Sequence, residues 1–243
     1  MTRRIFVGDI QGCRDELERL LEAVRFDTTS DELHPVGDFI NRGPDSLGVL
    51  RLCRELNAGG VLGNHDLHFF RTLDGTRKPK KRDTFNELLA ADDCEELTQW
   101  LRERPFVRAF EDVICVHAGL NPTWQDPVAT LQACDPDTDS PASRFVVSVR
   151  YCDAAGNKPD ADWPAPEAPF VPWFEHWPPN PSETRTVVFG HWARMGRVER
   201  PQVRGLDTGC VWGKKLTAWI AEEDRFVDVP AARIYSPTSL PPM

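Results

Sequence analysis

Five residues that can bind a metal ion each follow a short apolar stretch of the sequence. They are Asp9, Asp38, Asn64, His117 and His191. A side chain at the carboxyl end of a strand is held rigidly and has room for a ligand beside it, which is where open α/β sheets place their chemistry. A single aspartate after a glycine is commonly a turn residue. Five strand ends that all carry oxygen or imidazole ligands instead predict a shared metal site.

The residue types also indicate which ions this site would bind. Gln11, two residues after Asp9, brings the set to six candidate ligands. Carboxylate, amide oxygen and imidazole suit Mn²⁺, Fe²⁺, Co²⁺ and Zn²⁺. Six ligands are too many for one structural zinc, but they fit two ions that share a carboxylate, an arrangement that catalyses displacement at phosphorus. The sequence therefore predicts two divalent ions.

The composition argues against several classes of partner and location. The chain has 243 residues and a formal net charge of −9, which argues against DNA or an anionic membrane as the main partner. No apolar run approaches the ~20 residues of a membrane span, and no signal-peptide core follows Met1. The seven cysteines contain no CxxC pair, so we expect a reduced, cytoplasmic protein. The sequence leaves the oligomeric state open.

Alternating strand and helix patterns predict the fold that positions these ligands. Apolar stretches at residues 4–8, 33–36 and 60–62 predict three strands with helices between them. This β-α-β-α-β order favours a parallel or mixed sheet covered by helices. Residues Val113–Val116 and Thr186–Phe189 predict two later strands, each of which delivers one of the histidines.

Three further segments have patterns of their own. Residues 93–103 predict a helix with a capping box formed by Asp93 and Glu96. Residues 145–152 alternate in polarity and predict a strand. The basic run at residues 77–82 is either a solvated loop or a rim that attracts a polyphosphate.

Five motifs resemble those of the calcineurin-like metallophosphoesterases, in the branch that includes the phosphoprotein phosphatases. They are Gly8-Asp9-x-x-Gly12, Gly37-Asp38-x-x-Asn41-Arg42-Gly43, Gly63-Asn64-His65-Asp66, His117-Ala118-Gly119 and Gly190-His191. Residues 63–68, 189–193 and 206–213 are similar, more narrowly, to the symmetrical diadenosine tetraphosphate hydrolases. The likeness covers residues 4 to about 222.

This resemblance implies a fold and a reaction. The fold would be an α/β sandwich of two mixed sheets flanked by helices, with a small cap from residues 77–105 and 120–160. One domain would span residues 1–235, and residues 236–243 would form a tail. The reaction would be hydrolysis of diadenosine tetraphosphate in the middle of its phosphate chain, giving two ADP, by a hydroxide that bridges two metal ions.

The resemblance also assigns the ligands by position. Asp9 and Gln11 would bind one ion and Asp38 would bridge both. The other ion would be bound by Asn64, His117 and His191. Much of the broad family has histidine where this chain has Gln11. Because a glutamine oxygen is a harder donor than an imidazole nitrogen, this exchange favours Mn²⁺ or Mg²⁺ over Zn²⁺, with Co²⁺ and Fe²⁺ as the remaining alternatives.

The groups that act on the substrate follow in the same way. His65 would be the general acid, oriented by Asp66. Arg42 would clamp a phosphate, and a guanidinium beside a bridging carboxylate is suited to bidentate phosphate binding. Arg150 matches a second phosphate arginine, and its alternative is an ordinary arginine on a strand surface.

Tryptophans are the candidates for adenine recognition. Trp212 and the three tryptophans of the proline-rich segment 159–181 could stack on a base, although tryptophans are more often part of a core. The insertion at residues 124–144 is short for these hydrolases, which leaves the depth of a nucleoside pocket open.

Rival functions use the same residues. A protein serine/threonine phosphatase would place this site in an open cleft, and a broader phosphoesterase or an RNA-cap pyrophosphatase would also share it. A non-catalytic scaffold would keep the fold only as a binding module. The intact Asn64-His65-Asp66 motif and Arg42 argue against that scaffold.

Overall fold

The computed structural model describes residues 2–179 and 182–238, which form an α/β fold. Its strands are β1 (Arg3–Val7), β2 (Asp31–Pro35), β3 (Val107–Ala109), β4 (Val113–Val116), β5 (Tyr151–Cys152), β6 (Val171–Pro172), β7 (Thr186–Phe189), β8 (Val198–Arg200), β9 (Val203–Gly205), β10 (Lys215–Ile220) and β11 (Arg225–Pro230). Its α-helices are α1 (Arg14–Val24), α2 (Ser46–Glu55), α3 (Asn64–Leu73), α4 (Asn86–Leu89), α5 (Cys94–Arg102), α6 (Pro127–Gln132) and α7 (Pro141–Val146). Short 3₁₀ turns cover Trp173–His176, Cys210–Trp212 and Ala221–Glu223.

The larger strands form two mixed sheets, which confirms the predicted sandwich. The first sheet has the order β11-β10-β1-β2, and the second has the order β3-β4-β7-β9-β8. β1 and β2 are parallel, whereas β10 is antiparallel to β1. In the second sheet β4, β7 and β9 are parallel and the two outer strands are antiparallel. The small pair β5-β6 is separate from both sheets.

Strand β1 illustrates how both faces of a sheet are buried. Phe6 belongs to an apolar cluster that also contains Val188 of the second sheet, so this cluster lies between the sheets. Ile5 and Val7 belong to the larger cluster that contains Leu17 of α1. Because successive side chains of a strand point to opposite faces, the apolar part of β1, from Ile5 to Val7, is covered by the second sheet on one face and by a helix on the other.

The predicted third strand at residues 60–62 is wrong. This segment runs beside β2, and Val61 donates its backbone N–H to the carbonyl of Pro35 at 3.2 Å. A regular parallel ladder would also need an N–H from residue 35, and proline has none. The ladder therefore stops after the bonds Gly59 N–H to Leu33 O and Val61 N–H to Pro35 O.

The strand predicted for residues 145–152 is also largely wrong, since α7 extends to Val146 and only Tyr151–Cys152 is a strand. Ser140 begins this helix, with its hydroxyl accepting the N–H of Ser143 at 3.0 Å and Pro141 at the first helical position. Serine caps and proline at that position both favour a helix start. Local capping therefore favours a helix at the start of this segment. The alternation in polarity at residues 145–150 does not correspond to a strand.

The helix predicted for residues 93–103 is confirmed as α5, but its capping box is wrong. The carboxylate of Asp93 makes no hydrogen bond to the start of α5. It accepts two hydrogen bonds instead from the guanidinium of Arg51 on α2, at 2.8 and 2.9 Å. A bidentate ion pair between two helices has replaced the local cap.

The beginning of the predicted tail packs against the domain. Ser236 is buried, and its N–H donates to the carbonyl of Val211 at 2.8 Å. Residues 239–243 of that tail lie outside the described residues. Among the residues that are described, no helix has both the length and the apolar character needed to cross a membrane.

Candidate active site

The predicted ligands lie in loops that leave the ends of four strands. Asp9 follows β1, Asp38 follows β2, His117 follows β4 and His191 follows β7. Asn64 is the first residue of α3. The pairs β1-β2 and β4-β7 are each parallel, so the carboxyl ends within each pair meet at one edge. Both sheets therefore deliver ligands to a common site.

Two glycines let the backbone close around these ligands. Gly37 has a φ of +99°, and a Cβ at this position would lie 2.6 Å from Nδ1 of His117. A Cβ at Gly190 would overlap Oδ1 of Asp9. Only glycine accommodates both the left-handed backbone of the first position and the close approach at the second.

Left-handed backbone is concentrated in the same loops. Gln11, Asp38, Asn41, Arg42 and His191 all have positive φ angles, between 48° and 82°. Each such residue costs free energy unless its surroundings hold it in place, and such residues cluster at active sites. The loops that carry the ligands are thus held in place by specific contacts.

Asp66 supplies several of these contacts. Its carboxylate accepts the backbone N–H groups of Asp38 at 2.9 Å, Phe39 at 3.1 Å and Gly63 at 2.8 Å. The expected contact between Asp66 and the His65 imidazole is not among the hydrogen bonds of the described residues. We therefore correct that expectation: Asp66 positions the loop of Asp38 and does not orient the ring of His65.

The contacts of His117 fix which of its nitrogens can bind a cation. Its Nδ1 lies 2.9 Å from the carbonyl oxygen of Val36, which can only accept, so Nδ1 carries the proton. Nε2 then has a free lone pair, and it lies 3.1 Å from Oδ1 of Asn64 and 3.6 Å from Oδ1 of Asp38. Three electron-pair donors that face one another repel unless a cation lies among them. The donor set therefore fits a metal ion.

The charges of the site lead to the same conclusion. Asp9, Asp38 and His117 are buried, and their ligand atoms lie within 4.8 Å of one another. Burial, and next the neighbouring carboxylates of Asp207 and Asp38, raise the pKa of Asp9 well above its ordinary value. Burial also raises the pKa of Asp207 to about 6. Burial therefore favours the neutral carboxyl groups of Asp9 and Asp207, and a bound cation would favour their ionised forms.

Asp207 was missed as a candidate ligand, although its motif was part of the resemblance. It lines the cavity beside Asp9 and its carboxylate accepts the N–H of Gly209 at 3.1 Å. Its sequence context carries no separate signal, because residues 206–207 follow the short strand β9 and are typical of a turn. His191 does lie at the site, and its Nε2 is buried without a hydrogen-bond partner among the described residues.

Gln11 lies beside the proposed bridging carboxylate. Its Nε2 donates to Oδ2 of Asp38 at 3.1 Å. This bond leaves Oε1 of Gln11 as the atom that could bind a cation directly or hold a water. The predicted role of Gln11 as a metal ligand remains a prediction.

The ring of His65 is held by Asn41, a residue that sequence reasoning did not assign to catalysis. Oδ1 of Asn41 accepts the backbone N–H groups of Arg42 at 2.9 Å and Thr84 at 3.1 Å, which fixes the orientation of the amide. Its Nδ2 is therefore the atom that lies 2.8 Å from Nδ1 of His65. Nδ1 accepts this hydrogen bond, so the proton of the neutral ring is on Nε2. Nε2 lies 3.9 Å from Oδ2 of Asp38.

These residues border a cavity of about 350 Å³. Of the predicted site residues it is lined by Asp9, Gln11, Asp38, Arg42, Asn64, His65, Arg150, His191 and Trp212. His117 and Asp66 lie behind this surface and are buried. Arg82, from the basic run, and Arg194 also line the cavity. An acidic floor with arginines around it is suited to a polyanion bound through cations.

The predicted phosphate arginines are anchored in different ways. Nη1 of Arg42 is buried, lies 3.5 Å from Oδ1 of Asp83, and has no hydrogen-bond partner in the described part of the chain. Arg150 pairs with Asp162 at 2.9 Å and donates Nη2 to the carbonyl of His191 at 3.3 Å. Arg42 lines the cavity, so its guanidinium is placed to bind a phosphoryl oxygen, and Arg150 is no ordinary strand-surface arginine, because it also lies in the wall of the site.

Metal removal is expected to destabilise the protein in a pH-dependent way. The raised pKa values of Asp9 and Asp207 mean that their stabilising contribution is present at low pH and is lost as the pH rises through those values. At neutral pH a bound cation would offset this loss. At a concentration about 100 times the dissociation constant, an ion adds about 2.7 kcal/mol, which is roughly 5–10 °C in Tm for a chain of this size.

Thermal unfolding with and without EDTA, at pH 7.5 and at pH 5, checks this expectation. We expect the chelator to lower Tm clearly at pH 7.5 and much less at pH 5. Refilling with excess Mn²⁺ should restore Tm and serves as the control for irreversible damage. Equal Tm values with and without chelator at pH 7.5 would contradict a metal site at Asp9 and Asp38.

Comparison with known proteins assigns this architecture to a family. Residues 2–229 match the calcineurin-like phosphoesterase family. The symmetrical bis(5′-nucleosyl)-tetraphosphatase of Acidovorax sp. (strain JS42) is 37% identical, over 94% of this chain and 97% of its own length. The protein of the same name from Methylococcus capsulatus is 39% identical, over 87% and 89% of the two chains.

Solved structures give a similar picture. The crystal structure of a protein assigned as a diadenosine tetraphosphatase has a TM-score of 0.71 and 33% identity, covering 94% of this chain and 93% of its own. A protein serine/threonine phosphatase from Saccharomyces cerevisiae shares the fold, with a TM-score of 0.63 over 99% of this chain and 81% of its own, at 13% identity. The match over residues 2–229, together with relatives named symmetrical bis(5′-nucleosyl)-tetraphosphatase, shows that this chain belongs to the calcineurin-like phosphoesterase family.

Proposed function

We propose that this protein hydrolyses dinucleoside polyphosphates and cleaves diadenosine tetraphosphate in the middle of its phosphate chain to give two ADP. The names of relatives 37% and 39% identical over most of their length support this activity. The observation that carries the proposal is the cavity itself, in which Arg42 and Arg150 flank a buried cluster of carboxylate and imidazole ligands. This arrangement suits a substrate whose central part is a chain of phosphate groups.

Membership of a metallophosphoesterase family implies that metal ions are bound, and we propose two, Mn²⁺ being the favoured ion. Asp38 would bridge them, since its two oxygens face different groups: Oδ1 faces His117 and Oδ2 faces Gln11. Asp9 and Gln11 would hold one ion, and the other would be held by Asn64, His117 and His191. When bound, such ions neutralise phosphoryl charge and lower the pKa of a water to near 7.

The remaining roles belong to side chains of the chain itself. Arg42, which lines the cavity, would donate a guanidinium N–H to an oxygen of the phosphoryl group under attack. Arg150, held by Asp162, would bind an adjacent phosphate. His65 would present the proton on Nε2 to the leaving oxygen. Asn41 and Asp66 would act only through the residues they position.

Cellular location and domain extent are part of the same proposal. All seven cysteines are free, which is compatible with a reducing compartment such as the cytoplasm. We also propose one domain over residues 1–235 with cap elements at 77–105 and 120–160. The family match over residues 2–229 supports that extent, and the cap segments contain the helices α4 to α7.

Product analysis tests the proposed reaction. The purified protein would be incubated with diadenosine tetraphosphate and Mn²⁺, beside a phosphoserine peptide, and the nucleotides separated by anion exchange. We expect ADP alone from the dinucleotide and slow release of phosphate from the peptide. ATP with AMP would show asymmetric cleavage, and faster turnover of the peptide would favour a protein phosphatase. The Asp38→Asn protein, purified in parallel, controls for contaminating enzymes.

A further inference from the structure

One tryptophan of the cavity is exposed and is not used by the core. Among the described residues the large apolar side chains with high exposure are Leu73, Leu89, Trp163 and Ile234. Of these only Trp163, 39% exposed, lines the cavity. A partly exposed indole in the wall of a binding site offers a flat apolar surface that the fold leaves partly uncovered.

The other tryptophans of the same proline-rich segment have structural contacts. Trp173 is 1% exposed and packs edge-on against Phe189 at 5.1 Å. The indole N–H of Trp177 donates to the carbonyl of Arg185 at 3.3 Å. Neither residue lines the cavity. This separates Trp163 from its two neighbours in a way that the sequence could not.

Arg194 adds a second flat group to the same wall. Its guanidinium carbon lies 3.5 Å from the centre of the Trp163 ring, and both residues line the cavity. An indole and a guanidinium stacked in this way form a platform with an apolar plane and hydrogen-bond donors at its edge. Nucleic-acid bases stack on both groups in proteins that bind them.

The platform is directly linked to a phosphate-binding arginine. Asp162, the residue before Trp163, pairs with Nη1 of Arg150 at 2.9 Å. Arg150 also donates to the carbonyl of His191, a predicted metal ligand. The Asp162–Arg150 ion pair thus connects the platform to His191 at the edge of the metal site. A base and a phosphate separated by a ribose fit this order of groups.

We propose that Trp163 and Arg194 form the nucleobase subsite of this cavity, for a nucleoside diphosphate unit whose phosphates reach Arg150. This subsite extends the proposed function, and it depends on that function only because the site must bind nucleotides. Stacking on an aromatic side chain contributes ~1–3 kcal/mol per base. Trp163 would therefore be a specificity residue that distinguishes a nucleotide from a bare polyphosphate.

Calorimetric titration of the Mn²⁺-loaded protein with ADP and with inorganic diphosphate tests the proposal. For Trp163→Ala we expect the dissociation constant of ADP to rise by ~5- to 150-fold, which is the stacking contribution at 1.4 kcal/mol per tenfold. The value for diphosphate should stay unchanged. Trp163→Phe should keep part of the ADP affinity, and Arg194→Lys, which retains the charge but not the plane, should lose part of it.

A matched control lies elsewhere in the chain. Arg104 is stacked over Trp100 at 4.5 Å, away from the cavity, so Trp100→Phe disturbs the same kind of pair and should leave both affinities unchanged. An unchanged ADP affinity in Trp163→Ala, or an equal loss for ADP and diphosphate, would overturn the subsite. Because binding is measured and not cleavage, the result is independent of which phosphate bond the protein hydrolyses.

Discussion

Replacing Asp38 by asparagine is expected to abolish hydrolysis of diadenosine tetraphosphate and to lower the metal content, without unfolding the protein. Oδ1 of Asp38 lies 3.6 Å from Nε2 of His117, and Oδ2 lies 3.1 Å from Nε2 of Gln11. The carboxylate of Asp38 thus faces one residue proposed to bind the first metal ion and one proposed to bind the second. Loss of the several kcal/mol that bound ions supply to a phosphoryl transition state corresponds to a rate loss of at least ~10³-fold.

The fold should survive this exchange because asparagine keeps the size of the side chain. The backbone N–H of His65 now donates to Oδ1 of Asp38 at 2.7 Å, and an amide oxygen can accept the same bond. The measurements are kcat with saturating Mn²⁺, metal content after desalting, and Tm. Asp74→Asn, in an exposed turn, is the control for a lost carboxylate. Near-normal turnover with full metal content in Asp38→Asn would contradict a shared bridging ligand.

The grouping of four of the candidate ligands could be predicted from the sequence because each of the four has a local signal. A short apolar run predicts a buried strand, and the polar residue after it is delivered to the end of that strand. Asp9, Asp38, His117 and His191 all follow strands in the structure, as predicted. Parallel pairing of β1 with β2 and of β4 with β7 then brings the ends within each sheet together, and the packing of the two sheets brings the two pairs to one site.

What the sequence could not provide depends on contacts between distant segments. Asp66 was assigned to His65, its neighbour in sequence, yet its carboxylate binds the backbone of residues 38 and 39. Asn41 holds the ring of His65 across a gap of 24 residues. Pro35 interrupts a ladder that the apolar pattern at residues 60–62 would otherwise allow. Each of these depends on hydrogen bonds that are made or missing between distant segments, and no periodic pattern in the sequence records them.

The contact with Asn41 has a consequence for the chemistry of His65. A histidine that is protonated on both nitrogens would point its Nδ1–H at the Nδ2–H of Asn41, and the two donors would repel. Burial, the largest cause, also lowers the pKa of His65 below its ordinary value. His65 is therefore neutral near pH 7, with Nε2–H as a hydrogen-bond donor and not as a strong acid.

Such a donor suits some leaving groups better than others. ADP departs as a phosphate oxygen that is already a stable anion, so a hydrogen bond to it is sufficient. A serine alkoxide is a very poor leaving group and needs a full proton transfer. The environment of His65 thus favours a phosphoanhydride substrate over a phosphoserine, which agrees with the proposed function.

His65→Asn should accordingly reduce turnover unequally across substrates. General acid catalysis contributes ~10²–10⁴-fold where the leaving group requires it. We expect a loss of that order for any residual phosphoserine hydrolysis and a much smaller loss for diadenosine tetraphosphate and nitrophenyl phosphate. Arg42→Ala should weaken all three, because the guanidinium of Arg42 would contact the phosphoryl group that they share.

The measurement is kcat for wild type, His65→Asn and Arg42→Ala on one substrate of each kind, at fixed Mn²⁺, with metal content determined for each protein. Metal content separates two explanations of a loss, since Nε2 of His65 is only 3.9 Å from Oδ2 of Asp38. An equal loss on all three substrates, accompanied by loss of metal, would show that His65 is a ligand or a support of the metal site. Unequal losses of kcat with full metal content would support the role of His65 as the hydrogen-bond donor to the leaving oxygen.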